Sequence, residues 1–377
     1  VNILALLRQE NASLISDMCE AGHQVFCIRD AAVHFRKLLN LPIQPVDFDE
    51  NHAVMDMPAG FEFGETMPMI IDGIKDCIRD NKIDAMVTWT DAPPDQRVSI
   101  LTARHMGVPT FEITHGATNT YRQGHFEYES YVDYVLAPGQ HEADFRKFYG
   151  SNANVVVTGK PSFDWITQSE NLKFSRNEAR AQFGIDERRP VIVHAMTWRH
   201  PFSVWERDRD WGDKAVIEAH MNLLPICNTF LIIKPHYSQG NKEYANHIRN
   251  YCETAGVTDF AVMTGGPIVP LTMADLVVTH KSSIIVEAFL LDLPVVMFEF
   301  RERNDFSWFD GYGAELVADR GELYPAMARC LLDRETKERL AVERARGREY
   351  FNYKCDGDAG KRCVEVIEKA VAERQAA

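Results

Sequence analysis

The stretch VVTHKSSIIVEAFLLDLPVVMFEF, residues 277–300, decides the fold class. It opens on apolar residues, breaks at Thr279-His280-Lys281-Ser282-Ser283, and runs on as an apolar segment of helical length. It closes in a second apolar run behind Pro294. Strand, polar turn, helix and strand in that order make a βαβ crossover, the unit from which parallel sheets are built. In such sheets ligands bind beyond the carboxyl ends of the strands, where the turn enters the next helix. The unsatisfied N–H groups of that helix end, with the aligned peptide dipoles, favour an anion. A serine there can cap the helix through its side-chain oxygen or bind a phosphate. Ser282 and Ser283 are read as doing both, with Lys281 beside them. Glu287, four residues past Ser283, is placed to accept hydrogen bonds from ribose hydroxyls.

The same alternation extends along most of the chain. Strand-like runs occur at 2–7, 24–28, 84–89, 109–114, 131–137 and 154–159, then at 191–196, 229–236, 260–264, 276–280 and 294–300. Amphipathic segments at 67–80, 94–106, 214–224, 241–254 and 321–350 fall between or after them. This predicts an α/β protein with parallel sheets. About eleven strands in 377 residues suit two Rossmann-like sheets better than one. GKPSFDW, 159–165, supplies the punctuation between them. The expected domains are therefore 1–160 (acceptor) and 161–340 (donor). The helices of 341–377 are expected to pack back toward the first.

If a ligand sits at strand ends, polar residues should collect there, and they do. Thr90 and Asp91 follow one run, and His115 and Gly116 another. Thr197, Trp198, Arg199 and His200 follow a third, and Lys234, His236 and Tyr237 a fourth. Each alone has an ordinary reading as a solvated charge, a turn former or a packing aromatic. Together with the serine turn they mark five strand ends suited to phosphate binding or acid–base work.

Composition narrows the partners. The formal net charge of −14 disfavours nucleic acid, since no whole-surface attraction to phosphate backbones exists. No apolar run reaches the roughly 20 residues that span a bilayer, and no signal peptide is visible. Peripheral membrane association stays open. Eight cysteines stand singly, with no CxxC pair, as expected of reduced thiols in the cytoplasm, and no zinc site is indicated.

THG (114–116), GKPSFD (159–164), HAMTWR (194–199), IIKPH (232–236) and ADLVVTHKSSIIVEAFLLDLPVV (274–296) resemble, in order and spacing, the CDP-glycerol glycerophosphotransferase family of teichoic-acid and capsule polymerases. More broadly they resemble GT-B glycosyltransferases and the hydrolysing UDP-N-acetylglucosamine 2-epimerases. The resemblance spans about 84–315 and implies two facing Rossmann-like domains with an inter-domain cleft, the donor bound mainly by the second. It implies His115 as candidate base and His236 as a contact to the donor phosphates. Ser282 and Ser283 match the phosphate-binding serine pair, Arg199 the arginine of the TWR segment, and Asp91 an acidic residue of the epimerases. The chain departs from the family at His280-Lys281, where Asp-Tyr is usual, at Tyr237 and at Met196. These changes leave the phosphate cradle but weaken the case for glycerol phosphate as the transferred group.

The expectation is a metal-independent Leloir-type transferase with no cofactor. It would move a sugar or alditol phosphate from a nucleotide-activated donor to a hydroxyl acceptor, a carbohydrate by preference. His115, Asp91 and His236 are the catalytic candidates. Ser282, Ser283, Lys281, Arg199, Thr197, Glu287 and Lys234 are the donor-binding ones. The alternatives are a nucleotide-sugar 2-epimerase and an inactive nucleotide- or sugar-binding protein.

Overall fold

In the computed structural model of the chain the residues described are 1–28, 32, 36–37, 39–41, 43–46, 63–91, 94–114, 130–168, 171–197, 206–236, 242–280, 282–300 and 309–376. The chain divides into two compact units, Val1–Thr167 with Tyr350–Ala377, and Gln168–Glu349.

The first unit is built on β1 (Asn2–Leu6), β2 (Gln24–Ile28), β3 (Gln44–Val46), β4 (Ala85–Thr88), β5 (Thr110–Ile113), β6 (Tyr134–Ala137) and β7 (Asn154–Val157). They form a seven-stranded sheet in the order β3-β2-β1-β4-β5-β6-β7, every pair parallel. The second unit holds β8 (Val191–Ala195), β9 (Phe230–Lys234), β10 (Phe260–Val262), β11 (Leu276–His280), β12 (Val295–Phe298) and β13 (Ala314–Val317). Its six-stranded sheet runs β10-β9-β8-β11-β12-β13, again wholly parallel. Both orders are doubly wound.

Continuous apolar strands follow from burial on both faces. In β1 and just beyond it, Ile3, Ala5 and Leu7 pack with Leu14, Ile15 and Met18, and with Cys363, Val364 and Ile367 of the last helix. Leu4 and Leu6 point the other way, onto Ile70, Ile74, Ile100 and Ala103. In the second unit Ile192, Ile233, Val278 and Phe298 share one core with Val216, Leu223 and Met327. The strands that sequence did not suggest, β3 and β13, lie at sheet edges. An edge strand needs a partner on one side only, so a run as short as QPV or AELV suffices.

GKPSFDW lies inside the first unit, beyond the expected limit at 160. Gly159 has φ +87°, and a Cβ there would meet the Ala359 Cβ at 2.8 Å. Asp164 accepts from the backbone N–H of Ala359 (3.1 Å) and Gly360 (2.9 Å). The motif thus ends β7 and seats the helix Ala359–Ala376, which packs on the helix Ala12–Glu20. All eight cysteines are free thiols. No helix among the described residues is long and apolar enough to cross a membrane.

Asp17 lies against Gly360 at this docking point. Burial, then the charge of Asp164, raise its pKa from 3.8 to about 6. The folded state therefore binds a proton that the unfolded state has lost between about pH 4 and 6. Stability falls as pH rises through that window. Asp17→Asn is expected to raise the melting temperature at pH 7.5 and to leave it unchanged at or below about pH 4. Thermal melts at the two pH values check this; an equal effect at both would contradict it.

Candidate functional site

A doubly wound sheet opens a crevice at the carboxyl ends of the two strands where the chain reverses its direction of winding. In the second unit these are β8 and β11. Thr197, two residues past β8, donates its hydroxyl to the His280 carbonyl (3.0 Å). The Thr279 hydroxyl lies 2.7 Å from the Ala195 carbonyl and 2.9 Å from that of His280. The His280 ring reaches Glu299 at the end of β12, Nε2 to Oε1 3.1 Å. His194 donates from Nδ1 to the Val278 carbonyl (3.1 Å) and from Nε2 to Asp213 (2.7 Å). These bonds clamp the strand ends on which the serine turn is mounted.

Ser283 stands just ahead of the helix Ile284–Leu290 and makes no capping bond through its side chain. Its backbone is helical (φ −63°, ψ −16°) instead of the extended form in which an N-cap oxygen faces the helix N–H groups. The Ser282 hydroxyl lies 3.5 Å from the Ile284 N–H, at the limit of a hydrogen bond. The expected caps are therefore barely formed, and the two hydroxyls keep their hydrogen-bonding capacity. Glu287 lies in the first turn of the same helix.

Lys234 ends β9 and is 4% exposed. Its ammonium donates to the Pro235 carbonyl, and no carboxylate among the described residues forms an ion pair with it. Burial lowers its pKa to about 8. A cation so placed favours a neighbouring anion, which restores the solvation lost on folding. His236 follows, half-buried. His115, Arg199 and Lys281 lie outside the described residues.

In the first unit the reversal falls between β1 and β4. Asp91, three residues past β4, is 4% exposed. One carboxylate oxygen accepts from the Tyr131 N–H (3.2 Å), and its carbonyl accepts from Arg97 Nε (3.0 Å). Near it lies a network that sequence reasoning missed. Buried Arg146 donates from Nη2 to both oxygens of Glu112 (3.2 and 3.0 Å) and from Nε to Glu142 (2.8 Å). Its Nη1 donates to the Ser130 hydroxyl (2.7 Å). Burial opposes the guanidinium charge, but Glu112 and Glu142 more than reverse this and hold its pKa above the usual value. The available signals were the acid inside the apolar run PTFEIT and the Glu142/Arg146 spacing of four.

Removing the cation would leave two buried carboxylates unpaired. Arg146→Met is expected to cost about 3–5 kcal/mol of unfolding free energy, read from urea denaturation. Adding Glu112→Gln to that variant should recover part of the loss. Strict additivity of two losses would argue against the network.

Two doubly wound parallel units define the GT-B class of fold. The chain belongs to the CDP-glycerol:poly(glycerophosphate) glycerophosphotransferase family, whose model matches residues 99–369. No curated protein sequence matches significantly. Among solved structures, UDP-GlcNAc 2-epimerase from Neisseria meningitidis, bound to UDP-GlcNAc, is similar at TM-score 0.69 and 17% identity, covering 98% of this chain and 100% of that one. A putative UDP-N-acetylglucosamine 2-epimerase from Listeria monocytogenes is similar at TM-score 0.70 and 14% identity, covering 99% and 97%. A glycosyltransferase from Rickettsia africae gives TM-score 0.63 and 12% identity, covering 98% of each chain. At such identities the likeness is one of fold.

Proposed function

We propose that the protein is a Leloir-type transferase that moves a sugar or an alditol phosphate from a nucleotide-activated donor to a hydroxyl of a carbohydrate acceptor, without a metal. The observation that carries this reading is the pair of unspent Ser282 and Ser283 hydroxyls at the reversal point of the second sheet. Buried Lys234, with no carboxylate partner, ends a strand of the same sheet. Family membership supports it. The donor diphosphate sits at the serine turn, with Thr197 and Lys234 nearby and Glu287 on the ribose. Lys281, Arg199 and His236 offset the charge that develops on the departing nucleotide. His115 or Asp91 takes the proton of the acceptor hydroxyl as the new bond forms. The cytoplasm is the compartment for such a reaction. A second reading, nucleotide-sugar 2-epimerase, is favoured by the fold likeness and by the buried acid Asp91 at a strand end.

Thermal melts with CDP, UDP, GDP, ADP and CMP, with and without Mg²⁺, test this. A bound nucleotide at a hundredfold excess over Kd adds about 2.7 kcal/mol of apparent stability. The expected result is selective stabilisation without Mg²⁺, lost in Ser282→Ala. His115→Ala should lower turnover and spare nucleotide binding. Release of free nucleotide from a sugar donor with no acceptor present would favour the epimerase.

Lys234 adds a pH dependence. Its pKa of about 8 in the free protein rises toward the ordinary value when an anion binds, so binding takes up a proton. Nucleotide affinity should fall as pH rises from about 7 to 9, and the fall should flatten in Lys234→Arg, which stays charged. Titrations across that range with both proteins would show it, and identical slopes would remove Lys234 from the site.

A further inference from the structure

The first unit has its own reversal point, between β1 and β4, and most of its side chains play no part in the reading above. Arg8, two residues past β1, lies with its guanidinium carbon 3.7 Å from the centre of the Trp89 ring. Trp89 directly follows β4 and is 8% exposed, so the platform is fixed by the core. Stacking on an aromatic face holds a guanidinium flat and leaves its N–H edge free to form a fork. That edge makes no hydrogen bond or ion pair with the described residues. Buried Asp95 senses the Arg8 charge without pairing to it. Arg8 is half-buried, so the fork remains reachable.

Two further polar groups belong to the same turn. Asn11 precedes the helix Ala12–Glu20 but does not cap it through its side chain. It is 3% exposed, and its Oδ1 has no hydrogen-bond partner. The Ser13 hydroxyl, two residues on, is likewise buried and unpartnered. Buried polar atoms are almost always bonded, so two orphans in one turn beside an unengaged arginine point to a ligand. The first strand-to-helix turn of a doubly wound unit is also where this architecture holds phosphate groups.

We propose that Arg8, stacked on Trp89, is an anchor for an anionic acceptor: its fork receives a phosphate or carboxylate, and Asn11 and Ser13 meet hydroxyls of the same molecule. The assignment rests on the transferase reading and names the acceptor class, a polyol or saccharide bearing a phosphate or carboxylate. It is assigned to the acceptor because the donor cradle is built from the second unit, whereas Asp91 and His115, the candidate bases, belong to the first with Arg8.

The test uses the full chain with glycerol 1-phosphate and glucuronate as probes, glycerol as the uncharged control, and the nucleotide of the preceding section as an independent arm. Glycerol 1-phosphate or glucuronate should stabilise the protein thermally and glycerol should not, with the stronger probe telling phosphate from carboxylate. In Arg8→Gln the apparent Kd for that probe should rise about tenfold or more, the effect of losing hydrogen bonds to a charged group. Arg8→Lys, which keeps the charge over Trp89 but loses the fork, should fall between. The nucleotide shift should be unchanged in both variants. Absence of a probe shift, its persistence in Arg8→Gln, or loss of the nucleotide shift there would each overturn the proposal, the last by assigning Arg8 to the donor. Failure of every nucleotide to bind would instead remove the transferase reading, and the Arg8 result would stand or fall on its own probe.

Discussion

Parallel pairing of β1 with β4 and of β8 with β11 is the constraint from which the rest follows. Parallel neighbours cannot be joined by a tight turn, so each connection must leave the sheet, cross a face as a helix and return. Winding that proceeds one way from β1 through β2 to β3, and the other way from β4 onward, separates the loops above the central pair. The resulting crevice has no side chains of a crossing helix to fill it. Polar residues can stand there without being buried against apolar neighbours, and in both units they do.

The charges under those crevices are held in different ways. Arg146 is fully engaged by Glu112, Glu142 and Ser130, and the network keeps the geometry of the first sheet's carboxyl edge. In the second sheet the His194–Asp213 contact and the paired threonines fix the strand ends. Lys234 is the opposite case, a buried ammonium whose bonding partner is a backbone carbonyl and whose pKa has fallen to about 8. A satisfied buried charge is a structural support, whereas an unpaired one destabilises the ligand-free state and is relieved by an anion. That contrast separates scaffold from site among side chains of the same type.

The last helix shows how a short motif can serve architecture. GKPSFD reads as punctuation between domains, and it also matches the family pattern. In the folded chain its glycine permits close approach to Ala359, and its aspartate caps the helix Ala359–Ala376. The cap brings Asp164 near Asp17, and the shared negative charge is a cost that the buried contacts of Cys363, Val364 and Ile367 offset.

The sequence by itself determined the alternation of strands and helices, the parallel sheets and the polar turn at Ser282 and Ser283. These depend on local pattern: apolar runs of strand length, helical spacing between them, and serines where a helix begins. It did not reveal β3 or β13, because edge strands carry little pattern of their own. The pairing of Arg146 with Glu112, 34 residues apart, was equally hidden, as was the meeting of His280 with Glu299. Nor could it show that the serines scarcely cap their helix, since that depends on one residue's backbone angles. The tertiary structure decided these points because side chains distant in sequence acquire fixed distances only when sheets and helices pack. The stacking of Arg8 on Trp89 arises in that way, from two strands made adjacent by the fold.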